Sequence, residues 1–274
     1  MRHLIRLAPI IVVFAAVAGC GPTAGSVIAE GPRAGGPPPY DGPLSVEGDA
    51  LDDPDVVTRA GAAGRALECD GEPANGSTGE NYGLSSGPED SAAAALANFL
   101  RVDAYGLPAE GYLMERSDGE RELMSFDVAG RTRVAVVLHR RGGQWQVETF
   151  AQCDPAEFPE DVDLPFDVWT DAEGNRIRTT EVTSHRGAEH CDWQSATSFT
   201  LAGTPGYVSD PEGVLDELVG GYEPDSALPL DAKDTGYRLD DSEHWVARDS
   251  SAAYLVTGHD TELLAVLPQP FGCA

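Results

Sequence analysis

The sequence predicts an α+β fold: a helix packed on a four-stranded antiparallel meander, followed by a β-rich second half with few helices. Three observations predict it. The alanine-rich stretch 92–100 puts Leu96, Phe99 and Leu100 at i, i+3, i+4, one face of a helix. Segments 111–117, 121–128, 131–140 and 144–151 then follow, separated by Asp118-Gly119, Ala129-Gly130 and Gly142-Gly143. Short glycine-containing connections between apolar runs are hairpin signals. No strand–helix–strand alternation and no fixed-period repeat runs through the 274 residues.

Residues 1–19 read as an export signal. Arg2 and Arg6 precede an uncharged apolar run from Leu7 to Val17, and small residues follow. The run is shorter than the ~20 apolar residues that a membrane-spanning helix needs. Ala16-Val17-Ala18 fits ordinary cleavage, which would release the chain. Val17-Ala18-Gly19-Cys20 resembles a bacterial lipobox, with Val17 where Leu is commonest; that resemblance implies a diacyl group on Cys20, which becomes the mature N-terminus. The five cysteines, Cys20, Cys69, Cys153, Cys191 and Cys273, favour the lipobox, because lipidation of Cys20 leaves an even number for an oxidising compartment. Two acyl chains suffice for stable attachment where one is marginal.

Residues 20–50 then read as a lipidated cysteine and a flexible tether, with six Pro and six Gly between positions 21 and 43. Such a composition cannot bury enough apolar surface to offset its ordering entropy. Its flexible reach would be roughly 30 Å. Residues 51–161 form the α+β half. Asp53-Pro54-Asp55 starts a short helix through Val56, Val57 and Leu67, weakened by Gly61 and Gly64. Ser86-Gly87-Pro88-Glu89-Asp90 starts the alanine-rich helix. In 131–140, Val134, Val136 and Leu138 face one way and Ala135 and Val137 the other, which marks a central strand. In 144–151, Trp145, Val147, Thr149 and Ala151 share a face. Residues 162–274 form the β-rich half, with strands near 165–169, 176–183, 196–202, 236–239, 243–248, 252–257 and 261–267 and a short helix near 211–219.

Four cysteines allow three connectivities. The sequential pairing, Cys69–Cys153 and Cys191–Cys273, fits the two halves and spans 84 and 82 residues.

Charge excludes one class of partner. With 18 basic against 46 acidic residues the formal charge is −28, and −30 once residues 1–19 are gone. A body this acidic repels phosphate backbones, so no nucleic-acid partner is expected. Chemistry is sparse. Gly83-Leu84-Ser85-Ser86-Gly87 matches a nucleophile elbow but lacks a good strand before it, so it reads as loop and helix cap. His185 and His190 precede Cys191 at a spacing unsuited to zinc on a helix; His139 reads as surface, and His244 and His259 as isolated. Asp171, Glu173 and Asn175 resemble half of a calcium loop with Gly174 misplaced, and read as a turn. Trp145, Trp169, Trp193 and Trp245 read as core. No catalytic, metal-binding or cofactor-binding set is assigned.

Three segments look familiar together: residues 60–71, ending Leu67-Glu68-Cys69-Asp70-Gly71; Gln152-Cys153-Asp154-Pro155-Ala156-Glu157-Phe158; and His190-Cys191-Asp192-Trp193-Gln194-Ser195. They resemble an uncharacterised group of actinobacterial exported proteins. The resemblance implies secretion and disulfides, and brings no activity. The expectation is a lipoprotein on the outer face of the cell membrane, anchored by a palmitate-type diacylglyceryl group. Non-enzymatic binding or support of a cell-wall or surface-protein partner is expected, with a carboxylate-based envelope hydrolase as the alternative.

Overall fold

The computed structural model describes residues 27–29, 35–36, 39–46, 55–78, 88–102, 106–162, 164, 167–187, 192–202, 206–215, 219, 226–249 and 251–266. Two antiparallel sheets organise the chain. The first has five strands, one more than expected: β1 (Asn75–Thr78), β2 (Leu113–Ser117), β3 (Arg121–Val128), β4 (Arg131–Arg141) and β5 (Gln144–Gln152), in the order β1-β5-β4-β3-β2. The extra strand, β1, adds at the edge beside β5, from a polar stretch that makes a poor strand by composition; pairing with Thr149–Gln152 supplies what side-chain propensity does not. The remainder of the elbow-like segment lies outside the described residues.

Helices cover both faces of this sheet. On one face α3 (Ala92–Val102) lays Leu96 and Phe99 on Val134, Val136, Leu138 and Phe150, with Leu100 partly buried beside them. This helix begins two residues after the expected acidic start. Glu89 instead exchanges backbone bonds with Trp145, and Ser91 Oγ accepts from the Ala94 amide at 3.2 Å. On the other face the expected short helix is split into α1 (Val56–Arg59) and α2 (Gly61–Ala66). The break falls at Gly61, whose φ of 54° no β-branched residue would tolerate. Ala62, Ala63 and Ala66 of α2 rest on Leu123, Ala135, Val137 and Ala151. Both faces of β4 are therefore apolar and buried, as its sequence requires.

One facing was read incorrectly. Val137 pairs with Thr149 and Leu138 with Val147, so Glu148 is an extra residue in β5. That bulge switches the side-chain alternation. Trp145, Val147 and Phe150 join the α3 side, whereas Ala151 joins the α2 side. Glu148 accepts two hydrogen bonds from Arg121, at 2.7 and 3.0 Å, and lies 3.2 Å from His139 Nδ1. His139 is thus a partly buried ion-pair neighbour, not a surface histidine.

The second sheet has seven strands: β6 (Val182–Arg186), β7 (Thr197–Leu201), β8 (Tyr207–Ser209), β9 (Lys233–Leu239), β10 (Ser242–Val246), β11 (Ala253–Thr257) and β12 (Asp260–Val266). Their order is β6-β7-β8-β12-β11-β10-β9. Of the expected strand 165–169, residues 165–166 lie outside the described residues, and 167–169 form no regular strand. Asp167 makes a single bridge to Ser184 on the β6 edge, and Thr170 one to Arg238 on the β9 edge. Both outer strands therefore meet the same four-residue connector, and the sheet rolls around Trp169, which is fully buried. Val182, Phe199, Leu201, Tyr207, Ala253 and Leu264 surround it, with Leu239 and Val246 partly buried beside them, so every strand contributes to this core. The indole Nε1 donates to Ser184 Oγ at 3.0 Å, and that hydroxyl donates to Asp167 at 3.0 Å. Of the expected helix near 211–219, residues 211–215 form turns instead, closed by Asp210 accepting from the Val214 and Leu215 amides, and 216–218 lie outside the described residues.

The expected tether is also corrected. Val27 and Ile28 pack against the α3-side core, and the Tyr112 amide donates to the Val27 carbonyl at 3.0 Å. Tyr40, Leu44 and Val46 pack on the opposite, α2 side. Their apolar side chains decide this, against the Pro and Gly around them. Among the described residues no helix is long and apolar enough to cross a membrane.

Candidate functional site

Two of the three Cys-Asp segments, at 69–70 and 153–154, meet at the junction between the sheets. Cys69, just after α2, is disulfide-bonded to Cys153, just after β5. Asp154 follows, wholly buried, and caps the single turn Pro155–Glu157 by accepting from the Ala156 amide at 3.0 Å. Aspartate before proline at the first turn is a legible cap signal. The same carboxylate accepts from the Thr179 amide and hydroxyl, at 3.0 and 3.1 Å, across the junction. Arg178 Nη2 donates to the Glu72 carbonyl at 2.6 Å. Arg176 donates to the Ala156 and Pro155 carbonyls, both at 3.2 Å.

Arg133, in mid-strand β4, fills the space beside the disulfide. It donates to the Glu68 carbonyl at 2.6 Å, to Glu157 at 2.5 Å and to Asp70 at 2.6 Å. Glu157 also accepts from the Asp70 and Gly71 amides, at 2.8 and 3.1 Å. Arg131 and then Arg133 hold the Asp70 carboxyl below the ordinary carboxylate range. Donor atoms of Cys69, Cys153 and Glu157 lie within 4.8 Å of one another, as metal ligands would. The two sulfurs are bonded to each other, so no thiolate is on offer and the trio is a disulfide beside a carboxylate. This cluster ties segments of the first half to one another, and the clamp to the second half is made by Thr179, Arg178 and Arg176 on Asp154, Glu72, Pro155 and Ala156.

The place with free surface is a cleft of about 300 Å³ at the seam, next to that clamp. Val162, Leu164, Val168 and Leu239 contribute to a lining that is mainly polar. Glu160, Asp167 and Asp240 add three carboxylates against one cation, Arg176, which already donates to two carbonyls. A positively charged group fits this lining. A larger depression, about 510 Å³ at Asp241, Glu243 and Val256, sits on hairpin tips of the second sheet.

The sequence assigned no catalytic residue, and its disulfide and lipid residues fall as follows. Cys69 and Cys153 are joined; Cys20, Cys191, Cys273 and His190 lie outside the described residues, and with them the expected second bridge. Asp171 accepts from the Glu173 and Asn175 amides and from Asn175 Nδ2, so the calcium-like stretch is a self-closed turn. Trp145 and Trp169 are core; Trp193 packs on Ala196, Val208 and Leu215, and Trp245 donates to Glu243.

His244, read as isolated, is buried in the rolled sheet, its ring 6.1 Å from Trp169 and edge-on to it. Thr235 Oγ1 donates to the His244 carbonyl at 2.8 Å and lies 3.1 Å from Nδ1, which fixes the N–H on Nδ1. Nε2 has no partner. Burial pushes the ring's pKa down to about 4, with Asp234 opposing. The unfolded chain therefore binds this proton more readily than the folded one. Stability is expected to fall as pH drops from about 6.5 through about 4, by up to about 3 kcal/mol, and to level off below. Denaturant midpoints across that range check it: His244→Gln should flatten the slope, and an unchanged slope would refute it.

No family model matches the chain, and no curated protein or solved structure is similar to it, so its chemistry rests on its own residues.

Proposed function

We propose that this chain is an exported lipoprotein, cut before Cys20, diacylated on that sulfur and held at the outer face of the cell membrane, where its body binds a partner in the seam cleft. The observation that carries the reading is Val17-Ala18-Gly19-Cys20 at the end of an uncharged apolar run, in a chain where Cys69 is paired with Cys153, and Cys20 is left over when Cys191 pairs with Cys273 as expected. A disulfide suits an oxidising compartment. Kinship with the actinobacterial exported proteins belongs to the same proposal.

Binding is favoured over hydrolysis by how the acids are used. Asp154, Glu157, Glu148 and Asp171 are each engaged by two or more hydrogen bonds within the fold. The three cleft carboxylates outnumber the one cation in a mainly polar lining, which suits a basic side chain of a surface protein or an amino group of a wall peptide. A photocrosslinking residue at Val168 should capture such a partner on intact cells. The double variant Asp167→Asn, Asp240→Asn should lose that capture. Capture that survives the double variant would place binding elsewhere.

A further inference from the structure

The stretch between the proposed anchor and the body is much shorter than its composition implies. Val27 to Ala29 lie beside the start of β2: Ile28 forms a parallel bridge with Tyr112, and the Ala29 amide donates to the Tyr112 carbonyl at 2.7 Å. The Gly111 and Tyr112 amides both donate to Val27. Further on, Gly36 passes so close to the β3–β4 turn that a Cβ there would overlap the Gly130 carbonyl. Beyond it Leu44 is 2 % exposed on the far face of the sheet, Arg116 donates to the Gly42 carbonyl at 2.6 Å, and the Ala62 amide donates to Val46. The described segments 27–29, 35–36 and 39–46 thus touch one face, the sheet end and the other face in turn. They act as a strap, and the leash is what precedes Val27.

We infer that this strap seats the body on the lipid surface in a fixed orientation, with the Glu110–Met114 corner of the β2 edge turned to the headgroups. The inference rests on the reading of Cys20 as the lipidated residue. Val27 is seven residues after Cys20. Seven residues span at most about 25 Å. The point where a short leash enters a folded body lies nearest the membrane. The side chain exposed beside that point is Met114, 53 % exposed on an edge strand, an apolar group suited to the headgroup boundary. The body's strong negative charge gives no attraction to anionic lipid, so leash and corner set the orientation, not charge.

The test uses the full lipidated protein, extracted and reconstituted in phosphatidylcholine vesicles that carry a nitroxide on the lipid headgroup. A fluorescent residue replaces Glu110, at the corner, or Glu120, at the opposite end of β2; both sites are exposed. Fluorescence should be lost at Glu110 and retained at Glu120. A long Gly/Ser insertion after Ser26 should restore the signal at Glu110 by freeing the body. Equal quenching at the two sites, or quenching indifferent to the insertion, would overturn the orientation while leaving the anchor standing. The N-terminal mass of the same sample separates the two: no acyl group on Cys20 would overturn both.

Discussion

Removing the Cys69–Cys153 bridge, by the double variant Cys69→Ala, Cys153→Ala, is expected to cost about 4–5 kcal/mol of unfolding free energy. The bridge closes a loop with a sequence separation of 84. In the chain-entropy account, freeing a loop of that size returns about 4.5 kcal/mol of entropy to the unfolded chain. The folded state loses something too. The bridge holds the Glu68–Asp70 segment against β4, and that segment supplies a carbonyl and a carboxylate to the nearly buried Arg133. A guanidinium whose partners drift is costly in a site shielded from water. Guanidinium unfolding of the variant beside the oxidised parent measures the difference. A loss below about 1 kcal/mol would contradict the view of this bridge as the staple of the first half.

Trp169→Ala is expected to cost about 3–5 kcal/mol, the range for truncating a large buried aromatic. It touches core residues of both edge strands and of the central ones, and its backbone lies in the connector that bridges Ser184 and Arg238. Losing the ring empties the centre of the rolled sheet and orphans the Ser184 hydroxyl on one side. Amide exchange should therefore accelerate first at β6 and β9, the strands that meet only through this connector. Trp169→Phe should recover most of the packing but not the bond to Ser184. Uniform acceleration across all strands of that sheet would contradict the connector's role as closure.

Much of the first sheet was legible because its signals are local. Glycine pairs mark the turns, with Gly142 and Gly143 at φ of 62° and 91°, and β4 shows its central place through apolar residues on both faces. The bulge at Glu148 was not legible, since one extra residue leaves the composition of β5 unchanged and only the pairing with Val137 and Leu138 reveals it. The strap was missed for a related reason. Val27, Ile28, Tyr40 and Leu44 are too few among Pro and Gly to form a periodic pattern, and they gain order only from surfaces built elsewhere in the chain. Arg133 carries no local signal of its role, because its partners come from residues 63 and 65 positions earlier and 24 later. The seam cleft joins Glu160 and Asp240, and no local pattern could unite them.

The central claim is that Cys20 carries the chain to the membrane. Mass spectrometry of the N-terminal peptide from the membrane fraction tests it most directly. The expected result is a peptide beginning at Cys20 and carrying a diacylglyceryl group, with Cys20→Ala abolishing the modification and moving the protein into the medium. An unmodified N-terminus at Gly19, or a Cys20→Ala chain retained at the membrane as before, would contradict it.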